Sequence, residues 1–326
     1  MVPEPFLVLG ESLVDVVASA DGAAVERPGG SPANVAVALA RLGAGVALAT
    51  ALGADPRGVA VTRHLQASGV VLAEGSTMLE RTSVAIAEVD REGSASYTFE
   101  IDPRLVVPTP SAARLHLHTG SIAAVLEPGA TAIVEALRAH RPWATLSYDI
   151  NARPAVTGTG AALRAGVERV AALADLVKAS DEDLAVVYPG LELQAAAERL
   201  LDVGAGVVVV TRGGEGAVCL TRRHAVTVPG VPTAVADTIG AGDAFCAALL
   251  DGLAGHGLLG REGAGPSAAP PAVWESVVAR ANAAAAITVS RPGADPPTAA
   301  ELASVLAASG PSRTASYPPA TAVRAK

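Results

Sequence analysis

Short runs of β-branched and aliphatic residues alternate along this chain with Ala- and Leu-rich stretches whose apolar positions recur every three or four residues. The first pattern fits buried strands and the second amphipathic helices. Strands are predicted over residues 6–10, 46–51, 115–120, 144–149, 176–178, 207–211, 218–220 and 225–228. Helices are predicted over 32–42, 58–68, 130–139, 160–172, 181–187 and 193–202, with two longer ones over 243–255 and 273–290. Such alternation predicts an α/β fold, a mostly parallel sheet covered by helices on both faces.

One region breaks the pattern. Residues 83–89 and 94–99 are both β-like, and Asp90-Arg91-Glu92-Gly93 between them reads as a hairpin turn. Residues 14–27 are β-like as well, with Asp21-Gly22 as their turn. Paired, these pieces would form a small sheet over the open face, a candidate lid. The expected division is an α/β unit of residues 1–13, 31–81 and 102–310, a β-lid of 14–30 and 82–101, and a tail of 311–326. The segment 257–271, rich in Gly, Ala and Pro, is expected to be an exposed loop. The aperiodic Pro, Ser and Thr beyond Gly310 predict a poorly ordered tail.

Composition narrows the function classes. Half of the 326 residues are hydrophobic but only 3% are aromatic, so the core must be built from Ala, Val and Leu. The net charge of −8 argues against a broad nucleic-acid surface. No apolar run of membrane-spanning length occurs. The start lacks the basic segment of a signal peptide. Cys219 and Cys246 are the only cysteines and form no Cys-x-x-Cys, so a reduced, cytoplasmic protein is expected. His116 and His118 share one face of a predicted strand, but no third ligand lies nearby. A structural or solvent-facing role therefore outweighs zinc binding.

The richest chemistry lies in Asp237-Thr238-Ile239-Gly240-Ala241-Gly242-Asp243. Small residues there lead into a helix whose Phe245, Leu249 and Leu253 mark a buried face. Free N–H groups and the helix dipole at such a start favour an anion. A carboxylate at Asp243 would repel a phosphate, but it makes sense as a base for a hydroxyl attacking one. The alternative is an acid that merely stabilises the dipole.

A second glycine-rich helix start is Gly29-Gly30-Ser31-Pro32-Ala33-Asn34. Ser31 is expected as the N-cap and Pro32 as the first helical residue. Val35, Leu39 and Leu42 would mark the buried face, and Gly43 the end. Asn34 can donate to and accept from a sugar hydroxyl; the alternative is an ordinary capped helix. Gly255, Gly257 and Gly260 spell G-x-G-x-x-G, but a helix precedes them and no strand does. A dinucleotide site is therefore rejected. No P-loop motif is present.

The two glycine-rich starts, with Gly43 and Gly53 between them, resemble the paired signatures of the ribokinase-like (PfkB) carbohydrate kinases. The resemblance extends from about Leu7 to Pro297. It implies a ribokinase-like fold with a β-sheet lid, and ATP-dependent phosphorylation of a sugar hydroxyl assisted by Mg²⁺. It implies Asp243 as catalytic base and Gly240, Ala241 and Gly242 as an anion hole. Asp15, Gly29, Gly30 and Asn34 match sugar contacts. Lys178, Ser180 and Asp183 fall where relatives carry an Asn-x-x-Glu motif tied to Mg²⁺ and phosphate; here Ser180 replaces the asparagine and Asp183 the glutamate. Asp183 then either acts on the metal through water or is simply an acid early in a helix. Thr211, Gly213 and Gly216 match the nucleotide-phosphate loop. Asn282 matches the adenine border, and Asp237 a site that in many relatives holds a monovalent cation such as K⁺.

For the substrate, Gly10-Glu11-Ser12-Leu13-Val14-Asp15 and Asp149-Ile150-Asn151-Ala152-Arg153 look most like bacterial fructokinases. Asn151 and Arg153 are accordingly candidate sugar contacts. A 2-keto-3-deoxygluconate kinase, using Arg104 or Arg153 for the carboxylate, and a ribokinase are the alternatives. A non-catalytic sugar-binding protein on the same scaffold would instead predict decay of the phosphoryl-transfer residues. The family's lids often pair in dimers, which implies a homodimer.

Overall fold

The structure is a computed structural model that describes residues 5–19, 24–89, 95–110 and 115–309. The expected turns at Asp21-Gly22 and at 90–93, and the tail beyond Gly310, lie outside the described residues. The chain enters on β1 (Phe6–Leu9), then forms β2 (Leu13–Ser19), β3 (Ala24–Gly29) and helix α1 (Ser31–Arg41). Next come β4 (Val46–Ala49), β5 (Leu52–Gly53), α2 (Pro56–Ala67), β6 (Val71–Leu72), β7 (Thr77–Leu79), β8 (Val84–Val89) and β9 (Ala95–Glu100). The middle of the chain holds β10 (His116–Gly120), α3 (Gly129–His140), β11 (Thr145–Asp149), α4 (Pro154–Thr157), α5 (Ala161–Ala171) and β12 (Leu176–Ser180). It continues with α6 (Asp181–Val187), α7 (Leu193–Val203), β13 (Val207–Thr211), β14 (Ala217–Thr221) and β15 (Ala225–Val228). Helices α8 (Ala241–Gly255), α9 (Pro271–Val289) and α10 (Ala299–Ser309) follow.

The main sheet has nine strands in the order β15-β14-β13-β12-β11-β10-β1-β4-β6. Its pairs are parallel except at β13–β14 and β14–β15. The strict two-residue period of a strand separates its two faces. Phe6 and Val8 point into one core with α1, α8 and α9, whereas Leu7 and Leu9 point into the other with α3, α5 and α7. Helix α8 is buried almost all round, which suits a sequence apolar except at Asp243 and Asp251. A separate four-stranded sheet, in the order β3-β2-β8-β9, forms the lid. The α/β architecture and the lid agree with the sequence reading.

Several local expectations need correction. The N-cap of α1 is Gly30, not Ser31, and Pro32 is the second helical residue. Gly30 has φ 100, and a Cβ there would lie 2.7 Å from the Glu11 carbonyl oxygen. Only glycine fits that corner without strain. The segment 257–271 is not wholly exposed, because Leu258, Leu259 and Ala269 are packed into the core. His116 and His118 are buried, not solvent-facing. Their rings bond to Thr145 and Ser147 on β11 at 2.6–2.8 Å, a partnered structural role.

Candidate active site

Between β10 and β1 the strand order reverses, since β1 continues to β4 on one side while β10 to β13 run away on the other. Ligands of open α/β sheets bind in the crevice beyond the strand ends at such a point. Two helix starts face each other there. Gly240 caps α8 with φ 77, and a Cβ on it would come within 2.7 Å of the Ala294 side chain. Asp243, the third helical residue, is buried. Its Oδ1 accepts the Ser31 hydroxyl at 2.6 Å and its Oδ2 accepts the Asn34 amide at 2.8 Å. This explains the altered cap of α1: the Ser31 hydroxyl is engaged by Asp243 instead of its own helix.

Burial pushes the Asp243 carboxyl above its ordinary range. The Ser31 and Asn34 hydrogen bonds, and then the charges of Lys178 and Arg153, oppose that shift. The amide of Ala241 turns back to the Thr238 carbonyl at 3.3 Å. Helix geometry leaves the other amides of the first turn without partners inside the helix.

The lid supplies Asp15 from β2. Burial raises its carboxyl, Arg153 opposes the rise and Asp243 adds to it, so the three side chains share one electrostatic neighbourhood. A Cβ on Gly29 would fall 2.1 Å from Asp15 Oδ2. Gly29 therefore clears the space in which the Asp15 carboxylate lies. Asn151 donates to the Ser121 hydroxyl at 3.0 Å. These two are the non-glycine residues with positive φ among the described residues, 38° and 58°. Such conformations persist where surrounding contacts enforce them, commonly at functional sites. Buried Glu11 anchors the same corner by accepting the amides of Ile122 and Ala123.

The adjoining strand ends carry the residues expected on the nucleotide side. Lys178 and Asp149 form a buried ion pair, with Nζ 2.9 Å from Oδ2. Burial pushes Asp149 up to about 7 against the pull of Lys178. Burial also works against the ammonium, but Asp149 and Asp183 outweigh it and raise the Lys178 pKa, so the lysine stays charged. Ser180 caps α6 in a capping box with Asp183. Asp183 Oδ2 accepts the Ser180 amide and its Oδ1 accepts the Ala152 amide, both at 2.7 Å. That second bond ties the Asn151–Arg153 segment to the first turn of α6. Thr211 ends β13, and Gly213 and Gly216 bound a single 3₁₀ turn closed by Gly216 N–H to the Gly213 carbonyl.

Asn282 does not join the Asp243 cluster. It is buried in α9 and donates to the carbonyls of Val228 and Pro229. Asp237 also stands apart, accepting the amides of Ile239 and Gly293 to close the loop before α8. No group of three or more His, Cys, Asp or Glu side chains converges on a metal-sized site among the described residues. Among them, too, no helix is long and apolar enough to cross a membrane.

The model of the pfkB family carbohydrate kinases matches residues 6–301. This chain belongs to that family. It is an ATP-dependent carbohydrate kinase. The fructokinase of Klebsiella pneumoniae is 35% identical over 261 residues, covering 77% of this chain and 85% of that protein. The crystal structure of a fructokinase from Xylella fastidiosa with bound ATP superposes with a TM-score of 0.80 at 25% identity, over 94% of this chain and all of that one. An aminoimidazole riboside kinase from Salmonella enterica, complexed with aminoimidazole riboside and an ATP analog, gives 0.75 at 26% identity, over 92% and 99%. The kinase thus resembles solved enzymes of more than one sugar specificity.

Four residues of this cluster escaped the list of candidates drawn from the sequence: Ser31, Glu11, Ser121 and Asp149. Ser31 lies inside the Gly29–Asn34 motif, where its local context predicts a cap. Asp149 stood in the Asp-Ile-Asn-Ala-Arg segment, where a carboxylate beside a nucleotide-side lysine was a usable signal. Nothing local marked Ser121, whose backbone strain and partner are tertiary.

Proposed function

We propose that this kinase transfers the γ-phosphoryl group of ATP to a primary hydroxyl of a neutral sugar, D-fructose, giving fructose 6-phosphate and ADP. The reading is carried by one observation. Asp243 is a buried carboxylate with a raised pKa at the start of α8, set between Ser31 and Asn34 and faced by Asp15. A base poised in this way suits removal of a hydroxyl proton.

In the step we infer, the sugar hydroxyl gives its proton to Asp243 as its oxygen bonds to the γ-phosphorus. The bond from that phosphorus to the bridging oxygen breaks, and ADP leaves with the electron pair. In this reading the amides of Gly240, Ala241 and Gly242 stabilise the charge on the phosphoryl oxygens, the Ala241 amide giving up its 3.3 Å bond to the Thr238 carbonyl. Asp15, Gly29, Gly30, Asn34, Asn151 and Arg153 form the sugar side in this reading. Lys178, Ser180, Thr211, Gly213, Gly216 and Asn282 border the nucleotide.

The thin carboxylate set fits a Mg²⁺ carried on the triphosphate and kept largely hydrated. Asp183 has lone pairs left to hold it through water, and the ion would neutralise charge on the phosphate oxygens. Asp237 is our candidate carboxylate for a monovalent cation such as K⁺. We also propose a homodimer formed through the lid, which exposes Val17 and Val25.

Three observations favour fructose over a sugar acid. The fructokinase relative is more than 30% identical. Asp15 and Asp243 also set two carboxylates against Arg153, an environment that would repel an anionic substrate. Arg104, the other candidate for a sugar carboxylate, is already paired bidentately with Asp102. The likeness to the riboside kinase keeps ribose and ribosides as the second reading. The deciding experiment measures sugar-dependent ADP release across fructose, ribose, 2-keto-3-deoxygluconate and a riboside. Fructose is expected to give the highest kcat/KM, and a preference for any other substrate overturns that choice.

A further inference from the structure

We propose that Lys178 is a positioning residue for phosphoryl transfer: its buried ammonium, held by Asp149, places a full positive charge beneath the first turn of α8. The inference rests on the kinase reading and deepens it.

The geometry begins with sheet register. Asp149 on β11 pairs directly with Lys178 on β12, so both side chains rise from the same face of the sheet. Lys178 Nζ meets both Asp149 oxygens, at 2.9 and 3.1 Å. A Cβ built on Gly242 would lie 3.0 Å from Nζ, and Nζ is the nearest atom to it. Glycine at 242 thus admits the ammonium against the backbone of the anion hole. The peptide dipoles of a helix amount to about half a unit charge at its start. A fixed ammonium in a buried setting adds to that partial charge where phosphoryl oxygens would gather.

Structural stability alone is a poor reason for this arrangement. Of the ion pairs among the described residues, Lys178–Asp149 is the buried one, with side chains 5% and 1% exposed; Arg280–Asp251, the next most buried, has 25% on each side. Desolvation makes such pairs weak or unfavourable for folding compared with apolar packing. The neighbouring positions on α8 are apolar: Ala244, Phe245, Cys246 and Ala247. An apolar pair would have continued that core.

The same charge acts on the catalytic carboxylate. Asp243 is faced by Asp15 on β2, Ser31 and Asn34 on α1, Asp149 on β11, Arg153 after β11, Lys178 on β12 and Cys246 on its own helix. After the two hydrogen bonds, Lys178 is the first influence that keeps Asp243 ionised.

The test compares the parent enzyme with Lys178→Met/Asp149→Asn, which neutralises both partners, and with Lys178→Arg, which keeps a cation against Asp149. Thermal unfolding checks that each variant folds. The double variant is expected to lose about 10- to 100-fold in kcat, with KM for the sugar unchanged. The acid limb of its pH–rate profile should move to higher pH. Lys178→Arg should stay nearer the parent in both respects. If the double variant does not fold, Lys178→Met alone serves, since Asp149 then takes up a proton and the charge is lost in the same way. An unmoved acid limb with parental kcat overturns the proposal, and so do equal losses in the two variants. A parent enzyme without sugar-dependent ADP release would instead overturn the function proposed above.

Discussion

At the scale of single residues, the site depends on one carboxylate and the groups around it. Asp243→Asn keeps the shape and the Ser31 contact but removes the proposed base. It is expected to lower kcat by about 10²–10⁴-fold while sugar affinity, measured by calorimetry, stays close to that of the parent. Because burial raises the Asp243 pKa and the ionised form is the proposed base, kcat/KM should fall as pH drops through that raised value. The fall should therefore begin above the ordinary aspartate range; an acid limb at or below it would remove Asp243 from the role. Gly29→Ala tests the sugar side, because its Cβ would collide with the Asp15 carboxylate. A higher KM for the sugar with kcat little changed is the expected result in steady-state kinetics. The glycines and Asp243 were legible in the sequence because small residues before an acid at a helix start are a local pattern. The partnership of Asp243 with Ser31 was not, since 212 residues separate them.

Elements bring these residues together, and caps and turns hold the elements. Asp183 accepts one amide from its own helix start and another from the segment carrying Asn151 and Arg153. Asp183→Ala removes both bonds. It should cost about 1–3 kcal/mol of stability, read from denaturant midpoints, and should raise KM for the sugar through the loosened segment. Long periodic elements such as α8 and α9 were predicted within about two residues of their observed ends. Strands β5, β6 and β7, two or three residues each, were not predicted, because so few residues carry no period. Helix α10 was also missed, although Leu302 is packed fully into the core. The G-x-G-x-x-G at 255–260 follows α8 and leads into a partly buried loop, consistent with its rejection as a dinucleotide site.

At the scale of the molecule, a line of polar side chains crosses one core. His116 and His118 bridge to Thr145 and Ser147, and Asp149 lies farther along β11, paired with Lys178 on β12. Burial holds both histidines neutral, His118 down to about 3 and His116 well below its ordinary value. Below about pH 6.5 the unfolded chain binds these protons and the folded chain does not, so stability falls as pH drops. The slope is about 1.4 kcal/mol per pH unit for each histidine. The raised carboxyls of Glu11, Asp15, Asp149 and Asp243 act in the opposite sense over the acid range. Comparing His118→Gln with the parent cancels them. The variant is expected to show a shallower decline of thermal midpoint between about pH 6 and 4; an unchanged slope would remove the histidine from that role.

By itself the sequence determined the α/β class, the lid-forming strands, the two glycine-rich helix starts and the family. Each of these rests on local demands: a period of two or of 3.6, a φ that only glycine adopts easily, an apolar face. Only the tertiary structure decided that α1 and α8 pack together with their starts adjacent, that Ser31 serves Asp243 and not its own helix, and that Lys178 lies under Gly242. Those contacts join segments far apart in the chain, and sheet register and helix packing, not any nearby pattern, bring them within hydrogen-bonding reach.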